Sequence, residues 1–144
     1  MIQKIIDGIS ISLNAEFGGN YKIYTESIEQ GLKEPCFSIL CVNPTNELFM
    51  GKKYFRKNLF CIQYFPSSKE EKYAECMEVL ERLYDCLEII KVGDDPQRGT
   101  SMHGEVVDSV LNFFVNYDMF VYKVEVADEM ETLDLKTDVE GDEL

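Results

Sequence analysis

The sequence predicts an α+β domain: a largely antiparallel, mixed sheet of five to six strands packed against an N-terminal helix and a central helix of about residues 69–87. Three observations carry that prediction. Apolar residues recur at helical spacing in two separated segments, one at the N-terminus and one in the middle of the chain. Strand-like runs follow each of these segments in groups rather than alternating with helices. The densest run, Gly99–Val124 (GTSMHGEVVDSVLNFFVNYDMFVYKV), interleaves Phe113, Phe114, Tyr117, Phe120 and Tyr122 with six valines, residues suited to a pleated, half-buried surface.

Taken in order, Ile2, Ile5, Ile6, Ile9 and Leu13 make an amphipathic helix of about residues 2–15. Gly8 weakens it, and Phe17-Gly18-Gly19-Asn20 ends it with residues that tolerate left-handed backbone. Tyr21–Thr25 alternates as a short strand, and Glu26–Glu34 is a polar connection closing at Pro35. Cys36–Val42 is nearly continuous in apolar residues, the pattern of a strand buried on both faces. Asn43-Pro44-Thr45-Asn46 is a turn signal, with Glu47–Met50 extending the hairpin before Gly51. Lys53–Phe65 is extended again, and Arg56, Lys57 and Asn58 suggest that its first half projects beyond the core.

Pro66-Ser67-Ser68 opens the central helix, and Ser68 with Glu71 has the spacing of a capping box. Tyr73, Cys76, Met77, Leu80, Leu83, Tyr84 and Leu87 then mark one apolar stripe that must be buried. Glu88–Val92 is a short strand, and Gly93-Asp94-Asp95-Pro96 a turn. Gly99–Val124 reads as two strands turning near Asp108–Ser109, the second running long from Val110. On it Leu111, Phe113, Val115 and Tyr117 share one face, and Asn112, Phe114 and Asn116 the other. A sheet so patterned packs one side on helices and leaves the other to water or a partner.

With 144 residues, 45% hydrophobic and 28% charged, the chain is expected to be one domain over residues 1–124 with an acidic tail over 125–144. The tail holds nine acids (Glu125, Asp128, Glu129, Glu131, Asp134, Asp138, Glu140, Asp142, Glu143) against Lys136 alone. It therefore carries −8 of the net −13, a composition expected to stay solvated, and nonspecific nucleic-acid binding is disfavoured. Asp7 interrupts the N-terminal apolar stretch and no cleavage site follows, so a signal peptide is not expected. No run approaches the ~20 apolar residues of a membrane helix.

Catalytic and metal signatures are not found in the sequence. Cys36, Cys41, Cys61, Cys76 and Cys86 lack C-x-x-C spacing and read as reduced core thiols, and His103 is the only histidine. His103 sits in a strand pattern as a structural or partner-facing ring, and Asp94 and Asp95 read as a turn rather than a cation site. Neither catalysis, a cofactor nor a metal is expected. The one basic cluster, Lys52, Lys53, Arg56 and Lys57, has two readings: it keeps a hairpin tip soluble, or it meets an acidic neighbour.

Three blocks add a resemblance: Gln30–Leu40 (QGLKEPCFSIL), Tyr54–Pro66 (YFRKNLFCIQYFP) and Arg98–Val124. Together they resemble the phage tail terminator family found in prophages of Gram-positive bacteria, over roughly residues 1–124. The resemblance implies a structural protein that caps the tail tube as a homo-hexameric ring, ends tube growth and presents a surface to a head-completion protein. Its partners would be further copies of itself, the tail tube protein and the head-completion protein, with DNA passing through unbound and no membrane involved. It would assemble in the host cytoplasm and end in the virion tail. On this view the Met50–Asn58 region, with Lys52, Lys53, Tyr54, Arg56 and Lys57, is the expected grip on tube or neighbour, and Glu105 and Asp108 are candidates to face the channel. The alternatives kept open are a head–tail connector or head-closure protein, and a monomeric acidic binding module.

Overall fold

A computed structural model describes residues 1–26 and 31–124. Part of the predicted Glu26–Glu34 connection and the predicted acidic tail lie outside the described residues. The elements are α1 (Ile2–Phe17), β1 (Lys22–Tyr24), β2 (Cys36–Met50), β3 (Lys53–Phe65), α2 (Lys72–Cys86), β4 (Ile89–Val92), β5 (Asp95–Arg98), β6 (Thr100–Val107), β7 (Val110–Asn116) and β8 (Met119–Tyr122). The main sheet has six strands in the order β1-β2-β3-β7-β6, with β8 pairing β3 beyond the end of β7. Only β1–β2 is parallel; the other pairings are antiparallel. This is the α+β, largely antiparallel fold that the sequence predicts, with β4 and β5 added as a separate two-stranded sheet.

One core joins the helices to one face of the sheet. Ile5, Ile9, Leu13 and Phe17 of α1 and Cys76, Val79, Leu80 and Leu83 of α2 meet Phe37, Ile39, Phe60, Ile62, Tyr64, Leu111, Phe113 and Val115. Each large side chain removed from water here contributes roughly 1.5–3 kcal/mol before conformational entropy is subtracted. The alternation foreseen on β7 holds: Leu111, Phe113 and Val115 are buried, while Asn112, Phe114 and Asn116 are half-buried on the far face. Gly8 has a packing reason to interrupt α1. A Cβ built there would stand 2.3 Å from the backbone carbonyl oxygen of Lys91, so only glycine lets β4 lie against the helix.

Several expectations need correction. Asn43–Asn46 is not a turn: β2 runs through it, and the register jumps from Val42↔Leu59 to Thr45↔Lys57. Asn43 absorbs the bulge at φ 53, and Pro44, lacking an N–H, falls where the ladder is already interrupted. The reversal comes instead at Gly51-Lys52, between the paired Met50 and Lys53. Burial on both faces of β2 accordingly ends at Ile39, and Leu40 is exposed.

The strand from Val110 does not run long. It stops at Asn116, and β8 restarts at Met119 against a different stretch of β3. The turn before it does lie at Asp108-Ser109, with φ 52 and 64. Asp95 and Pro96 pair in β5 with Val92 and Lys91, so only Gly93 and Asp94 make that turn.

The central helix begins at Lys72, and only half of the capping box forms. The Glu71 N–H donates to Ser68 Oγ at 3.0 Å, but the returning carboxylate belongs to Glu75. Glu75 accepts from the Ser67 N–H (3.0 Å), the Ser68 N–H (2.9 Å) and the Tyr64 hydroxyl. One turn into the helix, Glu75 reaches both the entering loop and the sheet, a reach that Glu71 lacks. At the other end the Tyr117 hydroxyl donates to Leu87 O at 2.6 Å, giving a terminal carbonyl of the helix its partner.

Candidate interaction surface

Past the bulge at Asn43, β2 and β3 leave the body together as a hairpin arm, and β8 joins them as its third strand. Strand alternation sorts the side chains of the arm. Lys53, Phe55 and Lys57 point to the face away from the helices, with Phe120 and Tyr122 opposite them; Tyr54, Arg56, Met119 and Val121 point to the other face. The predicted basic cluster is therefore divided. Lys52 sits exposed at the tip, Lys57 is exposed on one face, and Arg56 turns to the other, where its Nε donates to Asn46 Oδ1 at 3.2 Å. The ring of Tyr54 lies on that second face, 5.2 Å beneath Lys123 Nζ.

Lys53 is the centre of something the sequence did not announce. Its Nζ lies 4.4 Å from the Phe120 ring centroid, 5.6 Å from Phe49 and 5.8 Å from Tyr122. Phe120 in turn packs on Phe55 at 4.9 Å and edge-on to Phe49 at 5.2 Å. These rings come from three strands, yet Phe49, Phe120 and Tyr122 remain 57%, 47% and 68% exposed. Leu48 and Met50 beside them are exposed at 61% and 69%. Scattered exposed apolar residues are ordinary, but a contiguous cluster with cations beside it is the feature that makes this face the candidate interaction surface. The clue in the sequence is Asp118, of a type poor in strands, which separates the run ending at Tyr117 from the apolar run Met119-Phe120-Val121-Tyr122.

The arm's aromatic face continues onto the body. There Leu40, Cys61, Phe114 and His103 form one cross-strand row, and Ser38, Gln63, Asn112 and Glu105 the next. Gln63 Nε2 donates to Asn112 Oδ1 at 3.0 Å, and the His103 ring stacks on Phe114 at 5.0 Å. Asn116 Oδ1 is buried without a hydrogen-bond donor among the described residues. Glu105 is exposed at this edge and Asp108 in the adjoining turn, so both candidate acids occupy the end of the sheet formed by β6 and β7.

Chemistry finds no foothold comparable to this surface. No cluster of three or more His, Cys, Asp or Glu side chains that could hold a metal occurs among the described residues. Burial pushes the Cys36 and Cys61 thiols up to about 11 and Cys86 to about 12, each helped by a neighbouring carboxylate. Such thiols are poor nucleophiles. No helix among the described residues is long and apolar enough to cross a membrane.

The class of protein defined here is a small α+β domain that carries an exposed aromatic and basic cluster on a hairpin arm. The chain belongs to the phage tail terminator protein family, whose profile matches residues 4–129. A search of curated proteins found no match. Family membership makes this a structural protein of the phage tail, in keeping with a surface built for contact.

Proposed function

We propose that this protein closes the tail tube as a ring of identical subunits, six being the number the family resemblance implies, ending tube polymerisation and offering its free side to a head-completion protein. The observation that carries the reading is the arm: Phe49, Phe120 and Tyr122 stay exposed around Lys53, on a face continuous with the outer face of the sheet. A ring needs heterologous contacts that close by rotation, and an arm that leaves one body to lie on the next supplies one. Lys52 and Lys57 are the exposed cations that would meet an acidic strip on the tube or on the adjacent subunit. Assembly would take place in the host cytoplasm, with the finished ring remaining in the virion tail. Glu105 and Asp108, if turned toward the lumen, would repel the phosphates of passing DNA.

The test is charge reversal. Lys52→Glu with Lys57→Glu should leave the fold intact and abolish capping of purified tail tubes, read as continued tube growth. Capping at wild-type protein concentration would remove the arm from the interface.

A further inference from the structure

The outer face of the arm and the outward side of α2 are opposite in charge and similar in length. We propose that the outer face of each arm lies on α2 of a second copy of this chain, so that every subunit gives an arm to one neighbour and receives another on its helix. This rests on the arm being the contact surface between subunits, as argued above.

Position rules out the same chain. Both helices pack on the core face of the sheet, whereas Lys53, Phe55, Lys57, Phe120 and Tyr122 point away from it. An arm joined to the body through continuous β2 and β3 cannot turn that face onto its own α2. Two different surfaces of one chain therefore meet between copies, which makes the contact heterologous and able to close into a ring.

Charge names the second surface. On the outer face of the arm Lys53 and Lys57 stand against Glu47 alone, with Lys52 exposed at the tip. Arg56 and Lys123 belong to the opposite face and add nothing here. The outward side of α2 continues from Glu71 through Ala74, Glu78, Glu81 and Asp85, all exposed and at the spacing of one helical stripe, with no base among them. The cations of the helix lie elsewhere: Arg82 is held by Glu16 at 2.9 Å, and Lys72 falls on the stripe of Cys76, Val79 and Leu83. Tyr73 and Tyr84 stand exposed beside the acids. Lysines set among rings thus face carboxylates set beside rings, which suits both ion pairing and cation–π contact. The lengths agree as well. Lys53 to Lys57 spans roughly 13 Å along a strand, and Glu78 to Asp85 roughly 10 Å along a helix, so each lysine has a carboxylate within reach.

Zero-length carbodiimide cross-linking of the full-length protein, mixed from isotope-labelled and unlabelled chains at high concentration and low salt, tests the pairing. The expected products join Lys52, Lys53 or Lys57 of one chain to Glu78, Glu81 or Asp85 of another. They should exceed links from Lys4 or Lys91 to the same acids by about fivefold, and fall by a similar factor in ~1 M salt. The proposal is overturned if no links form between chains, if they spread evenly over all lysines, or if arm links are confined to Glu105, Asp108 or the acids of residues 125–144. Charge exchange gives a second readout by light scattering. Lys52→Glu with Lys57→Glu in one chain, and Glu78→Lys with Glu81→Lys and Asp85→Lys in another, should each abolish association alone. Their equal mixture should restore it, because the two variants can alternate around an even-membered ring. A mixture as monomeric as its components overturns the pairing, and so does either variant that associates like wild type. No tube is present in these measurements, so the two readings fail separately: tube capping without arm–helix links would seat the arm on the tube, whereas arm–helix links beside tubes that keep growing would remove only the capping role.

Discussion

Asn58 and Tyr117 hold each other by two hydrogen bonds across 59 residues: Asn58 Nδ2 donates to Tyr117 O at 2.9 Å, and the Tyr117 N–H donates to Asn58 O at 2.9 Å. Asp118 adds a third, its Oδ1 accepting from the Asn58 N–H at 3.1 Å. The knot sits where β3 exchanges β7 for β8 as its partner, and therefore where the body ends and the arm begins. Only the first of these bonds uses the Asn58 side chain, whose amide gives the Tyr117 carbonyl a donor at the strand break and so accounts for a buried asparagine there.

Asn58→Ala should therefore cost about 1–3 kcal/mol, the range for leaving a buried carbonyl without its donor. Urea denaturation gives the magnitude. Amide exchange should rise first in β8, since the arm is what the knot restrains; uniform exchange across the molecule would mean that the knot serves the body alone.

At Gly8 two effects of opposite sign compete. Helix propensity alone predicts that Gly8→Ala stabilises by up to about 1 kcal/mol. The new Cβ would lie 2.3 Å from Lys91 O, a backbone atom that cannot rotate aside. Overpacking should win, with a net loss of about 1–3 kcal/mol. A midpoint shifted upward in denaturant would show that β4 gives way easily.

How far the sequence was legible follows from which forces act locally. The stripes of α1 and α2 and the alternation of β7 were readable because periodicity reports burial directly. Asn43–Asn46 has the composition of a turn yet forms a bulge, because Asn and Pro serve one as well as the other and only the partner strand decides. Glu71 has the spacing of a capping box for a similar reason, but the Tyr64 hydroxyl and the Ser67 and Ser68 N–H groups converge on Glu75 through tertiary structure. The basic residues of the arm were visible. Their division between two faces, and the rings gathered around Lys53, depend on β8 folding back onto β3, which no local pattern encodes.

The Glu75 contacts carry a pH signature. Burial alone would raise its carboxyl, but hydrogen bonds from Tyr64, Ser67 and Ser68 outweigh that and hold it below the usual range. A depressed carboxylate contributes stability that is present above its unfolded-state value, roughly 4.3, and lost as pH falls through the folded one. Wild type should lose stability in acid more steeply than Glu75→Gln, and parallel curves of stability against pH would show that Glu75 is not linked to folding.

The thiols should be quiet in the native state. With Cys36 and Cys61 pushed up to about 11 by burial, on the order of one thiol in a thousand is ionised at pH ~8. Disulfide-exchange reagents should label both slowly, at a rate set by unfolding, and rapidly in denaturant. Fast native labelling of Cys61 would mean that the outer face opens on its own.

Removing the rings separates stability from contact. Phe49 and Tyr122 are more than half exposed, so Phe49→Ser with Tyr122→Ser should change folding stability by only about 0.5 kcal/mol per site. Loss of tube capping at unchanged stability would mark the cluster as interface, whereas a large fall in stability would make it part of the core.

Most direct of all is electron microscopy of purified tail tubes mixed with this protein, imaged for symmetry at the tube ends while tube length is followed in time. A six-membered ring seated on the ends, with growth arrested and with both features lost in the Phe49→Ser, Tyr122→Ser variant, is the predicted outcome. Bare ends on tubes that keep lengthening, or a twelvefold ring in place of a sixfold one, would mean that this arm does not close the tail.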